Sequence, residues 1–345
     1  MTTTAPDKPM ATITRILSVN PISGADSIES VKVLGWKCVF KKNEFKVGDL
    51  CVYFVIGTLF PETYERTAFM EGKPLKTKKL RGCISQGLVA PLTWLLDFGV
   101  DIDTLTEGQD VTSYFNIQKH VEPEETHIYT QLKGAAAKEK NPSYFPRTDE
   151  ERIQNIPEIL QELKEKNSEI VITRKEDGCS ATFVLKDGKL MVCGRNSIQD
   201  DLTTPYFKVE RRLRIGDKML ALGRNLAVQG EIVGPSVQSN RLKLPDLTYR
   251  VFYIYDLDAG EFLAHEELEA VAASLELETV PVLYKGPASA APMLENIDTL
   301  LTYADTIEYA SKTPAEGIVV KINERTASRV SFKVISNKFL LKYNL

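Results

Sequence analysis

The sequence is short of the residues that usually announce a chemistry. It has 3 histidines and 2 tryptophans in 345 residues. None of the histidines, His120, His127 and His265, falls near Cys179 in sequence, so a Cys-His nucleophile pair has no support. The 5 cysteines, Cys38, Cys51, Cys83, Cys179 and Cys193, are odd in number and show no Cys-x-x-Cys spacing. That argues against both a disulfide framework and a zinc knuckle, and predicts reduced, mostly packed thiols. No apolar run approaches the ~18 residues of a membrane span, and the Thr-rich, Pro-containing start lacks the apolar core of a signal peptide. A soluble intracellular protein, cytoplasmic or nuclear and without a membrane partner, is expected. Internal repeats and low-complexity tracts are missing as well. So is an overall excess of positive charge: the net charge of -4 argues against a simple electrostatic nucleic-acid binder.

What is present is unevenly distributed. Residues 1–100 hold 13 Lys and Arg against 9 Asp and Glu, and the rest of the chain is acidic by 8. The first part is therefore the one suited to touching phosphates. At roughly 150 residues per domain the length predicts two domains. Residues 1–10 form an expected flexible leader. Short β-type runs at 13–19, 30–34, 36–40 and 50–55 follow, with a turn at 46–49 and strand material at 78–80 and 87–90. A short helix is expected at 92–96. Such spacing predicts a small β-barrel over 11–118. Residues 119–143 form the linker, with an Ala-Lys-Glu stretch near 135–140 suited to a helix.

The densest positive stretch in the chain, at 73–82, contains Lys76, Lys78, Lys79 and Arg81. Beside a small barrel it suits a nucleic-acid backbone. It equally suits a solvated edge strand, where lysine blocks unwanted pairing. The run Leu80-Arg81-Gly82-Cys83-Ile84-Ser85-Gln86-Gly87-Leu88 resembles the signature of tRNA-binding OB domains, which favours RNA contact.

The second domain, 144–345, opens on a Thr148…Glu151 capping box and an apolar stripe of Ile153, Ile156, Ile159, Leu160 and Leu163, which predict a helix running to about Glu165. Strands are expected at 169–173, 180–185, 189–193, 226–233, 249–255 and 317–322, with helices at 262–275 and 293–311. Asp187-Gly188 is a hairpin turn. Strands and helices interleave without strict βαβ alternation, so the fold class is α+β with antiparallel sheets.

Lys175-Glu176-Asp177-Gly178 places a lysine and a carboxylate side by side at the end of a strand. A lysine attacks a phosphate only when deprotonated, and a neighbouring cation such as Arg174, or a bound metal, lowers its pKa enough. Thr173 and Arg174 lead directly into Lys175 and are candidates for the same binding site. The same four residues also fit a strand running into a polar turn. What accompanies them decides: Gly194-Arg195-Asn196, Gly230-Glu231-Ile232, Phe252-Tyr253-Ile254-Tyr255-Asp256, Glu316-Gly317-Ile318-Val319-Val320-Lys321 and Ser331-Phe332-Lys333. Together they supply a nucleophile, cations for phosphates and carboxylates for a metal, the parts that nucleotidyl transfer needs.

This ordered series resembles the motifs of the covalent nucleotidyltransferases, the polynucleotide ligases and mRNA capping enzymes, from about residue 145 to the C-terminus. The resemblance implies that Lys175 attacks the α-phosphate of a nucleoside triphosphate and that Asp177, on the same strand face, orients the amine or a hydrated metal. It implies ribose or terminal-phosphate contact by Arg195, ribose contact by Glu231 and divalent metal binding by Glu316, with Asp177 and Glu231 as further metal candidates. Phe252 matches the aromatic that stacks on the base, with Tyr253 as the alternative. Lys321 and Lys333 match the cations of the α-phosphate. The last motif of the family carries two lysines with one residue between them, and here Ser331 holds the first place. Either Lys333 acts alone or Lys338 or Lys321 supplies the second charge.

The chain ends soon after Lys333, with its OB-type barrel at the N-terminus. That order, with Phe145-Pro146-Arg147-Thr148-Asp149-Glu150 and Gly234-Pro235-Ser236-Val237-Gln238-Ser239-Asn240, is similar to the ATP-dependent RNA ligases of the Naegleria type. The resemblance implies ATP, Mg2+ or Mn2+, and a monomer that seals 3′-hydroxyl to 5′-phosphate RNA ends. A GTP-using capping guanylyltransferase and a non-catalytic RNA-binding protein are the alternatives.

Overall fold

The structure, a computed structural model, describes residues 8–120 and 139–345. They divide into two compact units. One holds the described residues up to 120 together with 154–157 and 340–345, and the other holds 139–153 and 158–339.

The first unit is built on an antiparallel sheet of five strands, β1 Ala11–Pro21, β2 Ile28–Val33, β3 Trp36–Lys41, β4 Leu50–Phe54 and β8 Leu88–Pro91, in the order β3-β2-β1-β4-β8. The long β1 serves two neighbours. Residues 11–15 pair with β4, and residues from Ile16 onward pair with β2 across a register shift. A bulge of this kind lets one strand bend between partners. Alternation along β1 buries Ala11, Ile13 and Ile16. Ala11 and Ile13 join Phe54, Trp94 and Phe115 in one apolar cluster, and Ile16 joins Val31, Trp36 and Tyr53 in another. The short pairs β5 Thr58–Leu59 with β9 Gln118–Lys119, and β6 Lys78–Leu80 with β7 Cys83–Ser85, complete the unit's strands. The helix expected at 92–96 is a 3-10 helix, Leu92–Phe98. The linker's expected helical stretch lies, but for Glu139 and Lys140, outside the described residues.

Two sheets make the second unit. One runs β10 Glu151–Arg152, β20 Ser331–Ile335, β19 Gly317–Ile322, β11 Glu169–Lys175 and β18 Val282–Pro287. The other runs β13 Lys189–Cys193, β12 Cys179–Lys186, β14 Leu226–Val233, β15 Thr248–Asp256 and β16 Glu261–Phe262, with β17 Glu278–Thr279 beside β15. Pairing is antiparallel except for two short parallel pairs, β10 with β20 and β15 with β17. Helices α1 Ile159–Glu165, α2 Pro205–Leu213, α3 Ile215–Leu222, α4 His265–Ser274, α5 Ile297–Ala304 and α6 Asn337–Tyr343 accompany them.

The period-2 alternation of strands sorts β12 and β14 into two faces. Ala181, Phe183, Val228 and Ile232 pack with Tyr206 and Val209 of α2, Met219 of α3 and Leu268 and Val271 of α4. Each buried Val, Leu, Ile, Phe or Met side chain among them contributes roughly 1.5–3 kcal/mol. The opposite parity carries Ser180, Thr182, Gln229 and Glu231, a polar face. Asp187 and Gly188, both with positive φ (50° and 73°), close the expected hairpin.

The helix expected from Thr148 to Glu165 is largely absent. Glu151–Arg152 is the strand β10, Ile153–Asn155 is a 3-10 turn, and only Ile159–Glu165 is α-helical. Pro157 explains this, because it cannot donate to a helical ladder and disfavours helical backbone at Ile156. The apparent cap, Thr148, instead shares a 2.9 Å hydrogen bond with Ser180 Oγ. The helix expected at 262–275 begins only at His265, and that at 293–311 reduces to Ile297–Ala304 after a short 3-10 turn.

Candidate active site

The site forms where β11 passes to β12 through Glu176-Asp177-Gly178, linking the two sheets. β11 is a central strand whose residues Ile170, Val171, Ile172 and Thr173 are all buried, so its polar end marks the edge of the core. Antiparallel pairing sets Gly317 opposite Lys175 and leaves Glu316 at the mouth, with its Oε2 2.6 Å from Lys175 Nζ. Glycine is required at 317. Its φ is 152°, and a Cβ there would lie 2.0 Å from the carbonyl oxygen of Val334. Gly178 is equally constrained, since a Cβ would meet Ile232 O at 2.2 Å and Glu231 Cγ at 2.8 Å. The two glycines next to site residues thus permit the close approach of neighbouring strands. Tyr309 ties the ends together: its hydroxyl donates to Lys175 O (3.2 Å) and accepts from Glu316 N (3.1 Å).

Charge is concentrated here. Burial works against the charge of Lys175, but Glu316, Glu231 and Asp177 outweigh it and hold the ammonium above its ordinary range. Burial, with repulsion from Glu316, Asp177 and Glu176, pushes Glu231 up to about 8 against the attraction of Lys175. Burial and Glu316 raise Asp177 to about 6, although Arg241 Nη1 lies 2.8 Å from its Oδ2. Lys333 is lowered to about 8 by burial and by Lys175 and Arg152. Glu176 is a buried counter-ion for two arginines, Arg174 at 2.8 Å and Arg250 at 3.2 Å.

The structure brings Lys175, Asp177, Glu231, Glu316 and Lys333 into one electrostatic neighbourhood. β11 ends at Lys175, however, so strand parity does not extend to Asp177, and the link residues place it instead. Thr173 is buried on the face of Lys175. Arg174 turns away, paired with Glu176 and lying 5.1 Å from the centre of the Tyr309 ring. Arg195 is held by Asp149, with Nε 2.9 Å and Nη2 2.5 Å from Oδ1. Lys321 serves another group. It is nearly buried, its Nζ donates to the carbonyl of Phe252 (3.0 Å), and it lies over the Tyr253 ring. Lys338 is exposed on α6, its backbone N–H bonded to Asp305.

The register of β14 and β15 skips Phe252, since Gly230 faces Val251 while Gln229 faces Tyr253. Tyr253 is buried and donates to Glu150 Oε1 at 2.8 Å, whereas Phe252 stays partly exposed. Ser331 Oγ donates to Glu150 Oε2 at 2.6 Å, and Arg329 Nε approaches Glu150 Oε1 at 3.5 Å. One residue that sequence reasoning missed is Arg152. The parallel pairing of β10 with β20 sets it opposite Lys333, making it the second cation of this edge. Pro157 was the available signal, because it breaks the helix that hid β10.

The donors suit a hard divalent ion, since Asp177, Glu231 and Glu316 offer only oxygen. Among the described residues no group of three or more His, Cys, Asp or Glu side chains is gathered closely enough to hold a metal ion. In the first unit, Lys76 Nζ donates to the carbonyl of Asn344 at 2.8 Å. Lys78, Lys79 and Arg81 are exposed on the β6–β7 hairpin, whose turn residues Arg81 and Gly82 both have positive φ (47° and 83°).

Comparison with known proteins agrees with both units. A family model described as RNA ligase matches residues 168–335, and one described as an OB-fold domain matches residues 10–92. No curated protein matches the chain. Among solved structures, the Naegleria gruberi RNA ligase with PPi is 33% identical, covers 98% of this chain and 99% of its own, and superposes with a TM-score of 0.84. A mutant of that ligase with AMP and Mn is 32% identical over 98% of this chain and 99% of its own, with a TM-score of 0.85. Another, with ATP and Mn, is 32% identical over 98% and 100%, again at 0.85. With this likeness running through both units, the chain belongs to the RNA ligase family and carries an N-terminal OB-fold domain.

Proposed function

We propose that the protein is an ATP-dependent RNA ligase that joins a 3′-hydroxyl to a 5′-phosphate through AMP carried on Lys175. The observation that carries this reading is the 2.6 Å contact of Lys175 Nζ with Glu316 inside a ring of acids, beside the cations Lys333 and Arg152. Held as an ammonium, Lys175 is stored in its inactive form, and Glu316 lies where it can take the proton. The freed Nζ attacks the α-phosphorus of ATP, a P–N bond forms, and the bond to pyrophosphate breaks. A 5′-phosphate oxygen of RNA then displaces the lysine, which recovers a proton. The 3′-hydroxyl finally attacks that 5′-phosphate and AMP leaves.

Lys333 and Arg152 neutralise the phosphate oxygens as the leaving groups depart. Partly exposed Phe252 offers the face for the adenine, positioned by the Lys321 bond to its carbonyl. Arg195 meets ribose or the terminal phosphate, and Glu231 the ribose hydroxyls. Asp177, Glu231 and Glu316 are the residues that would hold Mg2+ or Mn2+, which would supply charge neutralisation for the triphosphate. Lys78, Lys79 and Arg81 grip the RNA backbone, and the enzyme acts as a monomer.

The test is labelling with α-32P ATP and Mg2+ or Mn2+. The native protein should acquire covalent label and Lys175→Ala none. A labelled adduct on Lys175→Ala overturns the nucleophile, and labelling by GTP rather than ATP points to a capping guanylyltransferase.

A further inference from the structure

We propose that Arg241 is the resident counter-ion of Asp177, ceding that carboxylate when a divalent cation enters, and is thereby the positioning residue that sets how tightly the site takes its metal. The inference rests on the reading of Asp177 as a metal-side carboxylate. Without the metal, two of the site's carboxylates are neutralised by the protein itself: Glu316 by Lys175 at 2.6 Å and Asp177 by Arg241 at 2.8 Å. Both members of the second pair are largely buried, with side chains 14% and 10% exposed. A buried arginine beside a carboxylate meant for a metal must lower the affinity of any cation that competes for the same oxygens.

The loop that delivers Arg241 is built for that contact. It follows β14, the strand that carries Glu231, and Ser236, Gln238, Ser239, Asn240 and Lys243 all hold left-handed backbone, φ 44–68°. Side chains other than glycine reach that region only against steric cost, and clusters of such residues gather at functional sites. Asn240 clasps Leu244, accepting from its N–H at 3.0 Å and donating to its carbonyl at 2.9 Å. The hydroxyls of Thr313 and Ser311 bond the Arg241 carbonyl at 3.2 and 3.4 Å. Leu242 is buried with Tyr309, the residue that bridges Lys175 and Glu316. The backbone is thus anchored while the guanidinium, lying 5.6 Å from the centre of the Phe339 ring, reaches the acid. Anchoring without exchange would make Arg241 a plain structural clamp, and the two roles move metal affinity in opposite directions.

The experiment titrates Mn2+ into the full-length protein without nucleotide and follows free Mn2+ by EPR. Arg241→Gln should bind Mn2+ about tenfold tighter than the native protein, with Arg241→Lys between them. Asp177→Asn should bind more weakly, and adding Arg241→Gln to it should change nothing further. Unchanged or weaker binding by Arg241→Gln, where Asp177→Asn does weaken it, overturns the proposal and leaves the metal reading intact. If Asp177→Asn leaves Mn2+ affinity unchanged, the metal reading fails and takes the proposal with it. A variant that had lost its fold would bind less, so it cannot imitate the expected tightening.

Discussion

Two regions of this chain, the β6–β7 hairpin of the first unit and the candidate site of the second, handle charge in opposite ways. In the second, ionic groups are drawn inward and matched: Lys175 to Glu316, Arg241 to Asp177, Arg174 and Arg250 to Glu176. In the first, Lys78, Lys79 and Arg81 ride exposed on a hairpin, and Lys79 and Arg81 form no ion pair among the described residues. Inward charges act through geometry, because removing one partner strands the other in a poorly solvated place. Outward charges act through a field that salt screens and to which each contributes a share. The roles proposed for the two regions differ accordingly: bond making, where ångströms matter, and holding a polyanion, where only the sum matters.

The sharpest way to break this contrast is Gly178→Ala. One methyl group there collides with Ile232 O and Glu231 Cγ, so β12 or Glu231 must shift against Lys175. A displacement of about 1 Å at such a centre costs on the order of 100-fold, which single-turnover formation of the protein–AMP adduct would register. A rate within threefold of native would mean that the inner charges tolerate slack. The outer charges make the next largest prediction. Replacing Lys78, Lys79 and Arg81 together by alanine should weaken sealing of nicked RNA about tenfold at 0.1 M salt and flatten its logarithmic salt dependence by roughly 2 to 3. Adenylylation should be untouched. If one of the three accounted for the whole loss, or the salt slope stayed native, the hairpin would be a specific contact and not a field.

How far the sequence revealed this follows the same division. The gathering of the candidate site's residues was legible because strand register fixes it: Gly317 must face Lys175, and Gly178 must admit Glu231, so glycine-bearing motifs recur beside each acid. Arg152 was hidden, because a two-residue parallel strand has no periodicity and the apolar stripe around it reads as helix until Pro157 is weighed. The partners of Arg241 and Glu150 were unreadable for another reason. Each meets its partner across a distance of 64 or more residues, Arg241 with Asp177 and Glu150 with Tyr253 and Ser331. The assignment of Lys321 to a phosphate missed its partner in the same way, since the carbonyl of Phe252 lies on another strand. Ser331, which looked like a lost cation, proved to be a hydrogen-bond donor to Glu150 with Arg329 beside it.

The smallest expected effect concerns pH and tests whether the inner acids are as poorly solvated as their packing indicates. Burial, with neighbouring acids, pushes Glu231 up to about 8 and Asp177 up to about 6, against ~4 in an unfolded chain. Over that interval the metal-free native state binds protons that the unfolded state has released, so stability falls as pH rises. The stabilisation is full below pH ~4 and is lost as each group passes its folded value. Between pH 6.5 and 7.5 Asp177 has largely titrated, and the slope belongs mainly to Glu231, at most about 1.4 kcal/mol per pH unit. Lys333, lowered to about 8, acts in the opposite sense only above that pH. Thermal melts of the metal-free protein should therefore show Tm declining from pH 6 to 8, and Glu231→Gln should flatten the decline. The hairpin variant should retain the native slope, because its charges are solvated in both states. A Glu231→Gln profile parallel to the native one would mean that Glu231 keeps its water when the chain folds, and the inward matching of charge would then reduce to the pairs around Lys175, Asp177 and Glu176.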